Sequence, residues 1–328
     1  MPDPHLTPVI RLASAKLNLT LAVIGRREDG FHDLHSVFVP LALSDRLSLA
    51  PAPSSAREDS LHVSGLDAGP VADNLVLRAI AAARAAVGEG PGRPGTSALA
   101  ARLEKVIPVA AGLGGGSSDA AAAFDGALEA WGVELDDERG AHAAASIGSD
   151  VPFFLRGIPA LVEGRGERLT PLKGVHGHPG ILLVTPRVAV RTPDVFTVFD
   201  AIRGKGDGSI RMSSEHLAQE LGNGLSAADL IARAGVLASA NDLLPAALLV
   251  APGLVGVKRA LTRTLTRAVG LSGSGPTLWT LYPSLAEAQS AATVVEAAVA
   301  AGTIPTIGDG QPSIIATTIQ TGHEVPTS

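Results

Sequence analysis

A run of glycine and serine near the middle of the chain has the composition of a phosphate-binding loop. Four of the five residues 112–116 are glycine, and Ser117 and Ser118 follow them. Glycine reaches backbone conformations that are closed to residues with a Cβ, and it lets a ligand lie directly against main-chain N–H groups. The alanine-rich segment up to Trp131 predicts a buried helix with Ser118 and Asp119 at its start. Because free N–H groups and the helix dipole attract anions, the pattern predicts a phosphate cradle.

A glycine-rich hairpin or linker before an ordinary core helix would have the same composition. Two familiar nucleotide-binding loops are excluded by the residues present. A P-loop needs Gly-Lys followed by Ser or Thr, but the single Gly-Lys pair, at 204–205, is followed by Gly206. A dinucleotide-binding fingerprint that starts at Gly112 needs glycine where Ser117 stands. A phosphate cradle here must be of another kind.

Composition restricts the class of protein. A chain of 328 residues, 46% of them hydrophobic and 18% charged, is typical of a globular protein of about two domains. The net charge of -6 argues against a nucleic-acid partner, and the absence of cysteine excludes disulfides and thiolate chemistry. The first eight residues do not resemble a signal peptide, and the longest uncharged apolar stretch, 245–257, is interrupted by Pro252. We expect a soluble cytoplasmic protein that does not bind a membrane; its oligomeric state stays open.

Strands and helices must position the loop and the polar residues around it. Alternation over 9–24 predicts two strands joined by a short turn, with Lys16 and Asn18 on one face of the second strand. Helices are predicted over 75–87, with the pair Asp73-Asn74 as N-cap, and over 138–147. Pro152 ends that second helix and forces Val151 into an extended state, which leaves Asp150 on a fixed corner. Alone, Asp150 is as well explained as a turn former.

The chain closes with further strand and helix patterns. Residues 98–107, 181–184 and 277–282 are predicted strands, and Ser284 begins a capping box for a helix to about 301. The polar, glycine-rich segment 203–224 receives no function. His35 is expected to be structural, because two histidines three residues apart lack a third metal ligand.

Four stretches resemble the motifs of one enzyme superfamily. Residues 108–121 read Pro-x-x-x-Gly-Leu-Gly-Gly-Gly-Ser-Ser-x-Ala-Ala, which resembles the central ATP-binding motif of the GHMP kinases. Residues 270–279 resemble their third motif, whose glycines should pack against the nucleotide loop. Ala-Lys-Leu-Asn-Leu at 15–19 and Gly-Ser-Asp-Val-Pro at 148–152 resemble motifs of one family in this group, the 4-diphosphocytidyl-2-C-methyl-D-erythritol kinases. The similarity runs from about residue 11 to residue 166.

The resemblance implies a fold and a domain division. The expected fold class is α+β, in the two-domain GHMP kinase fold, with an N-terminal α/β domain similar to one found in a ribosomal protein and a ferredoxin-like C-terminal α/β domain. The implied boundaries are 9–166 for the ATP-binding domain and 180–318 for the C-terminal domain, with flexible tails at 1–8 and 319–328.

The resemblance also implies site residues. Lys16 and Asp150 would be catalytic, and Ser118 would be a candidate Mg²⁺ ligand. The implied ATP-binding residues are Asn74, Leu75, Lys105, Pro108, Val109, Ala110, Ala111, Gly112, Leu113, Gly114, Gly115, Gly116, Ser117 and Ser118. The implied substrate-binding residues are Asn18, Phe31, His32, Thr192 and Phe196. Phe31 stands where the family usually has tyrosine, so the aromatic face is kept and the phenol hydrogen bond is lost. Phe196 is equally well explained as a core residue.

The implied reaction transfers the γ-phosphoryl group of ATP, with Mg²⁺, to the 2-hydroxyl of 4-diphosphocytidyl-2-C-methyl-D-erythritol, a step of isoprenoid precursor synthesis outside the mevalonate route. ATP and this small molecule would be the partners. Two alternatives stay open: another GHMP kinase of homoserine or mevalonate type, and a noncatalytic nucleotide-binding protein on the same fold. Lys-Leu-Asn and Asp-Gly-Phe-His at 16–18 and 29–32 argue against the first alternative, and Lys16 and Asp150 argue against the second.

Overall fold

The computed structural model describes residues 7–88, 95–202, 206 and 208–321, which form two compact units. The first unit comprises the described residues of Met1–Ala15, Leu43–Val109 and Gly114–Gly157. The second comprises those of Lys16–Ala42, Ala110–Leu113 and Ile158–Ser328. Strands β1 (Val9–Arg26) and β2 (His32–Pro51) contribute residues to both. The predicted domain boundaries stay a prediction.

Strand β1 corrects one prediction, because its 18 residues form one continuous strand where two strands and a turn were expected. The segment around Ser14 has a turn-like composition, yet β1 pairs with β2. The Ser14 hydroxyl lies 3.1 Å from that of Ser44, and Ala13 and Ala15 are buried. Pairing with β2 therefore keeps the backbone of β1 extended through Ser14.

The first unit packs four helices on strands around its own core. Its further elements are β3 (Ser60–Gly65), α1 (Leu75–Val87), β4 (Leu99–Lys105), α2 (Gly115–Trp131), α3 (Asp137–Ile147) and α4 (Val151–Arg156). Strand β4 runs parallel to β3 and antiparallel to residues 46–51 of β2. Helix α2 lies close to the strands, since a Cβ on Gly126 would stand 2.5 Å from Leu49 Cδ1. The buried, alanine-rich α2 confirms the predicted core helix.

Two helix starts differ from the prediction. Helix α2 begins at Gly115 rather than at Ser118, so both serines lie in its first turn. Val151 is not extended but opens α4, because proline at the second helical position needs no N–H partner there. Asp150 is the N-cap residue of α4, with φ -88° and ψ -10°.

The second unit contains a four-stranded antiparallel sheet in the order β10-β11-β8-β12. Strand β5 pairs antiparallel with residues 34–38 of β2 and with β6. The strands are β5 (Ala160–Gly164), β6 (Arg168–Pro171), β7 (Val175–His176), β8 (Gly180–Thr185), β9 (Leu225–Ser226), β10 (Gly270–Leu271), β11 (Leu278–Tyr282) and β12 (Ser313–Thr318). The helices are α5 (Thr192–Ile202), α6 (Gly208–Asn223), α7 (Ala227–Ala232), α8 (Ala234–Leu237), α9 (Leu244–Val250), α10 (Gly253–Leu265) and α11 (Leu285–Ala300). Ser284 caps α11 as predicted, accepting from Glu287 N at 3.3 Å.

Some main-chain donors of β1 have acceptors outside β2. The N–H of Lys16 donates to the carbonyl of Leu113 at 2.9 Å, and the N–H of Leu21 donates to that of Ala240 at 2.8 Å. The N–H of Asp242 donates in return to the carbonyl of Leu21 at 2.8 Å. Strand β1 is therefore bonded to two segments that lie far along the chain.

Ordered structure continues past the predicted start of the C-terminal tail. The N–H of Ile319 donates to the carbonyl of Pro179 at 3.2 Å, and that of Gln320 to Pro40 at 2.9 Å. The remainder of the predicted tails, 1–6 and 322–328, lies outside the described residues. None of the helices in the described ranges is long and apolar enough to cross a membrane.

Candidate active site

The glycine loop is folded as a concave array of backbone N–H groups. The φ angles of Ala110, Gly112 and Gly114 are 52°, 75° and 71°, so every second residue is left-handed. Such alternation turns successive N–H groups towards one side and forms an anion-binding nest. Gly114 is the N-cap of the 17-residue α2, and no side chain caps the helix there. The first N–H groups of α2 have no intrahelical acceptor, which suits them to phosphate oxygens.

The third motif packs against the loop, as predicted. Ser272 donates its hydroxyl hydrogen bond to the carbonyl of Gly112 at 2.9 Å. A Cβ on Gly112 would stand 2.3 Å from the Ser272 carbonyl oxygen, so only glycine fits. The side-chain amide of Asn241 donates to the carbonyls of Leu271 and Gly273 at 3.0 and 2.9 Å. Asn241 thus fixes the third motif, and Ser272 of that motif in turn fixes the glycine loop at Gly112.

Lys16 lies beside the loop with its ammonium group buried. The side chain is 5% exposed, and Nζ donates to Asn18 Oδ1 at 2.5 Å. The nitrogen also lies 4.5 Å from the centroid of the Phe38 ring. Asn18 in turn donates from Nδ2 to Ser36 Oγ at 3.0 Å, which fixes the orientation of its amide. The predicted pairing of Lys16 and Asn18 on one face of the strand is confirmed.

Asp150 is the N-cap residue of α4, but its side chain does not cap the helix. The N–H of Val151 donates to the carbonyl of Gly148 at 3.2 Å, which forms the corner before α4. The Asp150 side chain makes no capping hydrogen bond to this helix. Asp150 belongs to the first unit and Lys16 to the second, and their joint role in catalysis stays a prediction.

Lys105 is buried in a cluster of charges. Its Nζ donates to Asp119 Oδ2 at 2.7 Å and to Asp45 Oδ2, and all three side chains are at most 4% exposed. A Cβ on Gly115 would stand 3.0 Å from Nζ, so the ammonium lies directly beneath the start of α2. Burial raises the pKa of Asp119 to about 7; Lys105 opposes this rise and Asp45 adds to it. We call Lys105, Asp45 and Asp119 the buried triad.

Asn74 and Leu75 lie at the start of α1. Asn74 Oδ1 accepts from the N–H of Val76 at 3.0 Å, which confirms the predicted cap. The Cδ1 atom of Leu75 would lie 3.8 Å from a Cβ on Gly116, so Leu75 neighbours the glycine loop. Their role in ATP binding stays a prediction.

Whether this site suits Mg²⁺ depends on the protein atoms that could act as its ligands. Among the residues that the structure describes, no three His, Cys, Asp or Glu side chains form a cluster that could hold a metal ion. Mg²⁺ commonly keeps several waters and binds through substrate phosphates with one or two protein oxygens. Ser118, in the first turn of α2, is compatible with such a site, and its role as a ligand stays a prediction.

On the predicted substrate side, His32 is held between an aromatic ring and a carboxylate. Its ring stacks on Phe196 at 4.6 Å between centroids with 20° between the planes. His32 Nε2 lies 2.7 Å from Asp200 Oδ1. Phe196 is half-buried and packs against the core of the second unit, which is one of the two roles that the sequence left open; its role in substrate binding stays a prediction.

Of the other predicted substrate residues, Asn18 is buried, whereas Phe31 and Thr192 are exposed. Phe31 is 56% exposed, and the guanidinium of Arg165 lies 4.9 Å from the centroid of its ring. Thr192 opens α5 and its hydroxyl lies 2.8 Å from that of Ser274, in the third motif. An exposed aromatic face and an exposed hydroxyl are available to a ligand; these roles stay predictions.

Sequence reasoning missed Asp45, Asp200 and Ser214. Asp45 lies on the inward-facing alternation of β2, and that position could have signalled a buried charge. Nothing local marks Asp200, which is 168 residues from His32. Ser214 lies in the segment to which no function was assigned.

Ser214 joins α6 to both long strands. Its hydroxyl lies 2.8 Å from Thr20 Oγ1 and 2.9 Å from His35 Nδ1. Burial lowers the pKa of His35, which favours the neutral ring. His35 is structural, as predicted.

Comparison with known proteins places the chain in a family. Residues 74–158 match the family profile described as GHMP kinases N terminal domain. A 4-diphosphocytidyl-2-C-methyl-D-erythritol kinase of Pelotomaculum thermopropionicum is 37% identical over 87% of this chain and 92% of its own length. A kinase of the same name from Rhodopseudomonas palustris is 39% identical over 89% of this chain and 96% of its own length. A crystal structure of 4-(cytidine 5'-diphospho)-2C-methyl-D-erythritol kinase is 31% identical, with a TM-score of 0.67 over 95% of this chain and 99% of that one.

These similarities confirm the α+β GHMP kinase fold and exclude chance resemblance of a few short motifs. They cover both compact units and extend well beyond the profile match. The chain therefore belongs to the 4-diphosphocytidyl-2-C-methyl-D-erythritol kinase family and is an ATP-using kinase.

Proposed function

We propose that this kinase transfers the γ-phosphoryl group of ATP to the 2-hydroxyl of 4-diphosphocytidyl-2-C-methyl-D-erythritol, yielding the 2-phosphate and ADP. The observation that carries the proposal is the 37–39% identity to relatives of that name over nearly nine tenths of the chain. The loop geometry supports it, because a nest of N–H groups at an uncapped helix start suits a polyphosphate.

Asp150 would act as the general base. An alcohol is a poor nucleophile near neutral pH, so a carboxylate must receive its proton as attack on phosphorus proceeds. The usual role of an aspartate at an N-cap is a side-chain hydrogen bond to the helix that follows, and Asp150 makes no such bond to α4.

Lys16 would offset the negative charge that develops on the transferred phosphoryl group. A buried ammonium is more effective than an exposed one because little water screens it. Asn18 and Ser36 hold that ammonium in place through the hydrogen-bond chain described above. The loop amides of Gly114 to Ser118 would align the β- and γ-phosphates, and positioning of this kind supplies much of the rate of phosphoryl transfer.

Mg²⁺ would neutralise phosphate charge, with Ser118 as the candidate protein oxygen in the first turn of α2. His32 and Phe196 would bind the cytidine end of the substrate, with Phe31, Asn18 and Thr192 beside it. The half-buried ring of Phe196, stacked on His32, supplies an aromatic group for contact with a nucleobase.

The assay that tests the function measures ADP release from ATP with the cytidylyl substrate, homoserine and mevalonate in parallel. Turnover with the cytidylyl substrate alone is expected. Turnover with homoserine or mevalonate instead would replace the proposal by another GHMP kinase activity, and ATP binding without turnover on any acceptor would indicate a noncatalytic protein.

Asp150→Asn tests the base. We expect kcat to fall by at least about 100-fold, while the KM for ATP changes little, because general base catalysis acts in the transition state. Near-native turnover of this variant would remove Asp150 from the mechanism.

A further inference from the structure

Asp45 occupies an unusual position at the entrance to the glycine loop. It is fully buried and lies one residue before Arg46, the residue of β2 that pairs with Glu104 at the end of the ladder with β4. Its Oδ1 accepts from the N–H groups of Val106 and Ile107 at 2.5 and 2.8 Å. These two residues follow β4 and lead directly into the loop.

The other carboxylate oxygen of Asp45 binds the ammonium of Lys105. One side chain therefore fixes both the main chain where the loop begins and the cation beneath the start of α2. Hydrogen bonds to a charged acceptor are about twice as strong as neutral ones, and in this buried site no water can replace them.

Asp119 provides the contrast. Its Oδ2 accepts from Lys105, but its buried Oδ1 has no hydrogen-bond partner within the described residues. The two aspartates are the same residue type and bind the same ammonium. Only Asp45 also binds the backbone that enters the loop.

We propose that Asp45 is a positioning residue for ATP binding: it holds the start of the glycine loop and the Lys105 ammonium in the arrangement that receives the nucleotide. The inference rests on the proposed function in assuming that ATP occupies this loop. Asp45 does not touch ATP; it acts through Lys105, Val106 and Ile107.

Asp45→Asn and Asp119→Asn form a matched pair at pH 8.5, above the raised pKa of Asp119, because each then removes one negative charge from the buried triad. In D45N the amide NH₂ must face either the ammonium or the two backbone N–H groups. All of these groups are donors, so the NH₂ meets no acceptor and at least one hydrogen bond of Asp45 is lost. In D119N the NH₂ can occupy the position of Oδ1, which has no partner to lose. The two variants thus separate loss of charge from loss of positioning.

The dissociation constant for ATP with Mg²⁺ is measured by calorimetry, and the KM for ATP and for the cytidylyl substrate by turnover. For D45N we expect both ATP constants to rise roughly tenfold or more, the size of effect that loss of a charged hydrogen bond produces. The KM for the cytidylyl substrate should change far less, and D119N should bind ATP within about threefold of the wild type, since it loses no hydrogen bond. Equal effects in the two variants, or no effect in D45N, would overturn the proposal.

The wild-type protein provides a test that does not depend on a variant folding. The N–H groups of Val106 and Ile107 lie beyond the strand ladder, yet their bonds to Asp45 predict slow hydrogen exchange. Exchange at the rate of an open loop contradicts the inference. If the wild type binds ATP but does not phosphorylate the cytidylyl substrate, the proposed function fails while the binding comparison still decides the role of Asp45. Failure of the wild type to bind ATP overturns both.

Discussion

Replacing Asp119 by asparagine should stabilise the protein at alkaline pH, and the size of the effect follows from the buried triad. The carboxyl of Asp119 has a pKa of about 7 in the folded chain, against an ordinary value of 3.8, because burial disfavours its charged form. Between those pH values the folded state holds a proton that the unfolded state has lost, so stability falls as pH rises through this window and is level above about pH 7. At about 1.4 kcal/mol per pH unit, the loss is on the order of 4 kcal/mol.

The asparagine side chain in D119N cannot ionise, so the variant should lack this loss. The pKa of about 7 already includes the interaction of the ionised carboxyl with Lys105. The variant should therefore match the wild type near pH 4, where both side chains are neutral, and exceed it by about 4 kcal/mol at pH 8.5. Urea unfolding at pH 4, 5, 7 and 8.5, without nucleotide or Mg²⁺, measures the difference. A difference that does not change with pH, or one that shrinks as pH rises, would refute the assignment of a raised pKa to Asp119.

Two further substitutions probe the packing around the loop. Gly112→Ala should reduce ATP affinity at least tenfold, because the new Cβ meets the Ser272 carbonyl oxygen at 2.3 Å and φ is 75°. Calorimetric titration with ATP measures the loss, and unchanged affinity would contradict the packing argument. Ser214→Ala should lower the free energy of unfolding by about 1–3 kcal/mol, since it leaves buried polar groups of Thr20 and His35 without their partner, and an unchanged urea midpoint would show that this contact is not stabilising.

Local sequence patterns predicted the parts of the fold that local chemistry determines. The cap at Asn74, the helix start at Ser284 and the small-residue core face of α2 each depend on neighbours in sequence, and each was confirmed. The glycine loop was identified for the same reason, because its backbone conformation requires glycine at fixed positions. The start of α2 was misplaced and α4 was not predicted, because uncapped glycine and early proline are both tolerated in a first turn.

Long-range pairs could not be predicted from local patterns. Pairing with β2 converts the turn-like segment around Ser14 into strand, and that partner is not visible in the segment itself. Asp200 meets His32, and Ser214 meets Thr20, only after the second unit has folded. The resemblance to a kinase family supplied the roles of Lys16 and Asp150, which no periodicity or spacing would have assigned.

The distant acceptors of β1 have a consequence for biosynthesis. When the ribosome has made the first hundred or so residues, the N–H groups of Lys16 and Leu21 have no native acceptor, because Leu113 and Ala240 have not yet emerged. Unpaired strand donors invite association with other chains, and non-local contacts slow folding. A nascent chain interrupted before Ala240 should therefore depend on chaperones, and the N-terminal strand cannot reach its final bonding until nearly three quarters of the polypeptide has been translated.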